Sequence, residues 1–477
     1  MEERQRTNHR RDTMKPSGSL PDHHSPVRPP AGWTMLLAAA MVLLLPAMRA
    51  SAAGRDLATV LLEVERKAPD LRAATAETAV EKANVKVAKS RYFGELDALA
   101  KNSNYDDSRL INPIGYPVDL GPDLFDRNQF GYGVQATLPL DINGLIGARL
   151  EAARHLKQAA DAGRGDVRLR LLHTAAAYYH GIEGTVADEA ALEKQIHALQ
   201  ADIRTTEAAI EAQRAIPVKK MRLVTELEDV RGRLARLRGR EQQLRAALAA
   251  LMAARDFTDP VAPIHILPDQ PDWNEKLIEE RPDIAALKAR LDAAKADERA
   301  ARADRLPHMA VNGSWLRNQG YSGDGDDTWA VSVRLGLPLW DGGGRRAKVE
   351  KSDAGIQVLE QRLAALRYRA RSELVAARAD WDAARARYRA AVASEKAAVE
   401  TARIQTNRYQ EGLISADDLV NSEAALAQAR SARAVALTDW WRAGDRIRLA
   451  LGKEPALYPV KAVRTARRQD SGGNCRK

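Results

Sequence analysis

Leu337-Pro338-Leu339-Trp340-Asp341-Gly342-Gly343-Gly344 joins two stretches of opposite periodicity. Upstream, Trp329, Val331, Val333, Leu335, Leu337 and Leu339 alternate with Ala330, Ser332, Arg334 and Gly336. Period two over that length predicts a β-strand with one apolar face and one small or polar face. Downstream no proline occurs before Pro455, and Ala, Arg, Glu and Leu dominate, the composition of a very long helix. The same junction stands earlier, where Tyr132 to Leu140 precede Asn143-Gly144 and a second helical run. Pro139 and Pro338 are 338 − 139 = 199 positions apart, and that offset also carries Val134 onto Val333, Leu138 onto Leu337 and Gly144 onto Gly343. A period so wide is a duplicated half-domain and not a solenoid.

Strands of about ten residues, apolar on one face and joined by long loops, are the pattern of a transmembrane barrel. Phe130, Tyr132, Val134, Ala136, Leu138 and Leu140 share one face of the second strand, as Trp329, Val331, Val333, Leu335 and Leu337 share one face of the fourth. Weaker alternation marks a first strand, with Glu95 and Asp97 on one face, and a third that starts at Pro307. Four strands leave open edges that lipid cannot satisfy, so several copies of the chain must close the barrel together.

The helices carry coiled-coil seams. Leu192, Ile196, Leu199, Ile203, Thr206 and Ile210 face Leu223, Leu227, Val230, Leu234 and Leu237 across a reversal near Ala215 and Ile216. In the second half, positions from Leu359 to Tyr388 keep near-heptad register, and the chain reverses at Gly412 before Ser415, a favourable N-cap.

Before the repeats, a basic segment, the apolar run Met35–Leu45 and the small residues Ala50-Ser51-Ala52-Ala53 read as a disordered leader and a secretory signal peptide cleaved near Ala52 or Ala53. No cysteine follows that site, so no lipid anchor is expected there; the single Cys475 rules out an internal disulfide. The net charge of +10 sits mostly at the ends, +3 on residues 1–53 and +5 on 461–477, leaving +2 on the body. No basic stripe suits nucleic acid. The expected organisation is residues 1–53 as leader and signal, then 54–255 as the first repeat, with strands at about 91–101 and 130–140 and a tip at about 214–217. A linker at 256–272 precedes the second repeat at 273–455, with strands at about 307–317 and 329–339 and a tip at about 411–415, and 456–477 is a basic disordered tail. The fold class is mainly α with a small β part, a duplicated helix–β-hairpin–helix–helix unit.

Arg281-Pro282-Asp283-Ile284, the Leu-Pro-Leu-Trp-Asp-Gly-Gly junction and Tyr409-Gln410-Glu411-Gly412-Leu413-Ile414-Ser415 in order on this plan resemble the TolC-like outer-membrane efflux factors across residues 55–455. The resemblance implies a homotrimer in a Gram-negative outer membrane, with a twelve-stranded barrel and an α-helical periplasmic tunnel. It also implies a periplasmic adaptor and an inner-membrane transporter as partners. Gly412, Leu413, Ile414 and Ser415 match the family's adaptor-contact tip, with Ala215 and Ile216 as the first-repeat counterpart; lacking a glycine, that tip is expected to contribute less. Asp418 matches the first of two acids that line the family's pore constriction, and Asn421 replaces the second. Asp418 also suits an ordinary first-turn acid.

Other readings weigh less. Gly342 to Ala347 fits a loose dinucleotide-binding pattern, but no βαβ unit surrounds it. His173 and His180 lack the spacing and the partners of a metal site, and Trp440 and Trp441 suit a core. No cofactor is expected, and no nucleophile–base pair marks an enzyme. The alternative function is a periplasmic coiled-coil adaptor or scaffold.

Overall fold

The computed structural model describes residues 55–111, 116, 125–214, 216–262, 265–321 and 326–457. The signal peptide, Ala215, the tail from Tyr458 onward and Cys475 lie outside the described residues. In chain order come α1 (Leu57–Lys67), α2 (Pro69–Ser90), β1 (Glu95–Leu110), β2 (Phe125–Leu140), α3 (Leu145–Glu211) and α4 (Pro217–Leu251). A 3-10 turn at Glu275–Glu280 leads into α5 (Pro282–Ala303), β3 (His308–Gly320), β4 (Asp326–Gly336), α6 (Gly344–Gln410) and α7 (Ala416–Ala450).

The duplication is visible element by element. Adding 199 to the bounds of α3 and α4 gives those of α6 and α7, whereas α2 maps onto α5 with an offset of 282 − 69 = 213. The two offsets differ by 213 − 199 = 14 positions, the extra length of the first β-hairpin. At 67 residues each, α3 and α6 run on the order of 100 Å. Both start after a left-handed glycine, Gly144 (φ 76°) and Gly343 (φ 86°), a conformation other residues adopt only at a cost. Each start is capped from outside by an aspartate: Asp141 accepts from the N–H of Ile146 and Gly147, and Asp341 from the N–H of Arg345.

Several boundaries differ from the sequence reading. The first helical run breaks at Ala68, because Pro69 cannot continue the hydrogen-bond ladder. Pro282 opens α5 at its first position, so Arg281-Pro282-Asp283-Ile284 is a helix start. Strands β1 and β2 reach well into the stretch read as a loop, with a register shift between Asn104 and Arg109. Polar residues from Asn102 to Ser108 hide the strand, since backbone pairing needs no apolar side chains. In the other direction β4 stops at Gly336, which leaves Leu337 and Leu339 beyond the strand, next to Pro338 with its missing donor.

The helices form one layer. On one side α3 packs on α1, α2 and α4, on the other on α5 and α7, and these two pack on α6. Two apolar clusters hold the upper layer. In the first, Leu57, Val60 and Val64 meet Tyr179, Ile182 and Leu248. In the second, Leu363, Leu374 and Trp381 of α6 meet Trp440, Trp441 and Ile447 of α7. Below them Leu199, Leu227 and Val230 knit α3 to α4, the seam read from the heptads. The linker is pinned across the layer, where the Tyr179 hydroxyl donates to the Ala262 carbonyl and the Trp441 indole to the Ile266 carbonyl.

Two charged clamps join helices in the upper layer. Arg281 is buried; it holds Asp283 bidentately at 2.8 and 3.1 Å, Glu373 of α6 at 2.9 Å and the last-turn carbonyl of Ala450 at 3.2 Å. His180, 1% exposed, lies 3.7 Å from Glu183 and 3.6 Å from Asp445 on α7. Asp445 in turn accepts the N–H of Ala456. Burial disfavours the charged ring, but hydrogen bonding and charge from Asp445 and Glu183 outweigh it and hold the imidazole pKa above its ordinary value. A raised folded-state pKa gives stability that is full below the unfolded value, about 6.5, and is lost as pH rises through the folded pKa. The solubilised chain should therefore lose stability as pH rises above about 6.5, and His180→Gln should flatten that slope. Calorimetric melting at each pH checks this; equal slopes for both proteins would remove the charge from the clamp.

Candidate functional site

Three surfaces carry the candidate functional residues: one face of the sheet, the two hairpin tips and the seam between hairpins. The sheet order is β1-β2-β3-β4, all antiparallel. Because directly paired residues share a face, the register sorts the side chains. Rungs Leu140–Met309–Leu335, Leu138–Val311–Val333, Ala136–Gly313–Val331 and Ala98–Val134–Trp315–Trp329 stack on one face. Tyr132 extends the same face and meets Trp315 edge-on at 6.4 Å and Phe130 at 5.9 Å. The opposite face carries Glu95, Asp97, Gln135, Thr137, Asn312, Ser314, Ser332 and Arg334, with Thr137 donating to Asn312. Register thus brings Phe130, Tyr132, Val134, Trp329, Val331, Val333 and Leu335 together. Leu337 follows the strand end, exposed.

The tips are alike in their backbone. At the second, the N–H of Leu413 reaches the Arg408 carbonyl at 2.8 Å around left-handed Gly412 (φ 72°). At the first, the N–H of Arg214 reaches the Ala209 carbonyl at 2.7 Å around Gln213, whose φ is 59°. Gln213 thus takes the glycine's place in the same turn, and the expected handicap of the first tip has no backbone basis. Leu413 and Ile216 are both exposed, at 63% and 68%.

Asp418 closes a capping box. Its carboxylate accepts from the Ser415 hydroxyl at 2.8 Å and the Ser415 N–H at 3.2 Å, and the Ser415 hydroxyl accepts the N–H of Asp418. These bonds from Ser415 hold its pKa below the ordinary aspartate range. Asn421 instead reaches across to the first hairpin and donates to both oxygens of Asp202, at 3.0 and 3.2 Å. Thr205 donates to Asp417 at 2.8 Å, and further up Ser431 donates to Asp188 at 2.6 Å. Burial pushes the Asp202 carboxyl up, the Asn421 hydrogen bond opposes it, and Asp417 and Asp418 add to the rise. Sequence reasoning missed Asp202, Thr205 and Asp417. The available signal was polar residues at heptad spacing, Asp188, Gln195 and Asp202, on an otherwise Ala- and Leu-rich helix.

The seams therefore differ in kind. Within the first hairpin a buried leucine or valine is worth about 1.5–3 kcal/mol. Between the hairpins near the tips the links include exposed hydrogen bonds to the Asp202 and Asp417 carboxylates. The first hairpin is held by apolar packing, and near the tips its link to the second includes hydrogen bonds to carboxylates. His173 and His180 are buried among helices; the His173 ring lies 2.8 Å from the Lys453 carbonyl, and burial pushes its pKa down. Among the described residues no helix is long and apolar enough to cross a membrane.

The outer membrane efflux protein family model matches residues 60–254 and 273–453. Outer membrane protein OprJ of Pseudomonas aeruginosa is 25% identical over 251 residues, 50% of this chain and 52% of that protein. Nodulation protein T of Rhizobium leguminosarum bv. trifolii is 26% identical over 184 residues, 37% of this chain and 38% of its own length. The chain thus spans about half or less of these relatives. In fold it is similar to the Campylobacter jejuni CmeC outer membrane channel, with a TM-score of 0.71 at 17% identity over 86% of this chain and 89% of that one.

The register makes a test of facing. Leu335→Arg should block insertion into liposomes, because an arginine on a lipid-facing strand position costs roughly 2–4 kcal/mol per chain. Arg334→Leu should insert normally. Protease protection of the reconstituted proteins measures both, and equal protection would reverse or abolish the assignment of faces.

Proposed function

Because this chain belongs to the outer membrane efflux protein family, we propose that it is the outer-membrane exit duct of a tripartite efflux or secretion system. In this reading three copies close one barrel of twelve strands, and their helices continue it as a tunnel into the periplasm.

The observation that carries the reading is where the two layers end. The sheet ends at β1 and β4, whose outer edges are unpaired among the described residues. The helix layer ends at the α2/α4 flank and at α6. Since α2 leads into β1 and β4 into α6, both layers are open at the same two ends. Head-to-tail association of identical copies joins one end to the other and closes when the rotation completes a ring. Apolar residues wait on both flanks: Val80 and Val87 on α2, and Val358, Tyr368 and Val375 on α6. Eight strands enclose only side chains, whereas twelve leave a lumen, which a duct requires. An adaptor or scaffold made of coiled coils would have no use for the apolar sheet face.

The tips are the proposed contact with the periplasmic adaptor, through Gly412–Ser415 and through Gln213 and Ile216, with Ala215 between them. The proposed constriction lies beside them, where Asp202, Asp417 and Asp418 gather carboxylates and Asn421 ties the hairpins. With exposed hydrogen bonds to the Asp202 and Asp417 carboxylates across that joint near the tips, the second hairpin can swing from the first. The inner-membrane transporter supplies the cargo and most of its selection, since a duct wall makes few specific contacts.

Single-channel recording in planar bilayers tests the duct and its gate. The native chain should give a small, mostly closed conductance, and Asn421→Ala should raise it several-fold by releasing Asp202. No conductance from either would refute the duct, and an unchanged Asn421→Ala would move the gate elsewhere. Leu413→Asp should leave this conductance intact yet prevent crosslinking to an adaptor; loss of channel formation would instead make Leu413 a packing residue.

A further inference from the structure

The arginines in the body of α4 fall into two groups. Arg231, Arg238 and Arg245 follow one another at heptad spacing, and each holds a glutamate: Glu228 at 2.6 Å, Glu193 at 2.7 Å and Glu241 at 2.7 Å. Arg233, Arg236 and Arg240, three and four positions apart, share a different face of the helix. All three are exposed, and none has an ion pair or hydrogen bond among the described residues. Like charges one turn apart destabilise a helix, so the fold gains nothing from this spacing. The three line a groove of about 570 Å³ where α4, α3 and α7 meet, within the range of small-molecule sites, about 300–1,000 Å³. Gln195 of α3 and Gln428 of α7 add amide donors to it. Its one acid, Asp188, already accepts from the Ser431 hydroxyl at 2.6 Å.

Heptad spacing sets which way the groove opens. Gln195 stands one heptad before Asp202 on α3, and Gln428 one heptad after Asn421 on α7. The groove therefore continues the stripe on which Asn421 bridges to Asp202. We propose that it is a lumenal binding site for polyanionic cargo, a small molecule with two or more phosphate, sulfate or carboxylate groups. The proposal rests on the duct reading, which turns that stripe to the lumen at the constriction. Guanidinium forks bind such groups bidentately, and unpaired ones do so without first giving up a partner. An anion passing the carboxylates of Asp202, Asp417 and Asp418 is repelled, and three guanidiniums beyond them supply the opposing attraction. A protein helix is a poorer occupant. Docking helices lay down an apolar stripe, and the groove offers only Leu192 and Leu237, both already half-buried.

Two measurements with inorganic tripolyphosphate test the site. Isothermal titration calorimetry of the detergent-extracted full chain reads binding, and planar-bilayer recording with the anion in both chambers reads its effect on current. The native chain should bind tripolyphosphate with an affinity that falls as salt is raised. Arg233→Gln with Arg236→Gln and Arg240→Gln should weaken that binding at least tenfold. A matched triple of exposed α6 arginines, Arg362→Gln with Arg371→Gln and Arg385→Gln, should bind as the native chain does. Tripolyphosphate should lower the native current and leave the current of the groove variant unchanged. A conducting native chain that does not bind, or equal weakening by the two triples, overturns the site and leaves the duct standing. Binding without loss of current overturns the lumenal placement. Binding by a chain that conducts no current overturns the duct reading, and the cargo role with it.

Discussion

An unpaired strand edge cannot face hydrocarbon, because every backbone N–H and C=O there needs a partner that lipid does not offer. This chain builds four strands and stops, with β1 and β4 as the edges. Every other feature is arranged around that unfinished ladder. The helical layer breaks off at the same two ends, with exposed valines on α2 and exposed valines and a tyrosine on α6. In the proposed assembly a single copy is a segment of a wall, and ring closure would pair the edges and bring the end helices together.

Duplication explains how one chain makes such a segment. Each repeat supplies two strands, one 67-residue helix and one 35-residue returning helix. The repeats have kept their frame and diverged in detail. The first hairpin of strands is longer, and Gln213 turns the first tip where Gly412 turns the second. The joint between the repeats is uneven along its length. Charged clamps at Arg281 and His180 secure the middle of the helical layer, and hydrogen bonds to the Asp202 and Asp417 carboxylates link the hairpins near the tips.

Much of this was legible in the residues themselves. The apolar alternation of Trp329 to Leu335 survives as one face of a sheet, and the heptads from Leu359 to Tyr388 survive as the contact of α6 with α7. Periodicity reads well where one face is buried or meets lipid, since side-chain chemistry then follows geometry. It fails where geometry rests on the backbone alone, as in the polar reach of β1 from Asn102 to Ser108. It also fails for contacts between distant residues. Nothing near Asn421 announces Asp202, which lies in the other repeat and meets it only after both hairpins have formed. Asp418 carried two readings, pore acid and first-turn acid, and its bonds to Ser415 give it a definite local task as a helix cap.

Native mass spectrometry of the detergent-extracted full chain tests ring closure most directly. A single species with three times the mass of one chain, persisting on dilution, is the expected result. A stable monomer that stays soluble without detergent would contradict it, because one chain would then satisfy both strand edges and both helical flanks alone.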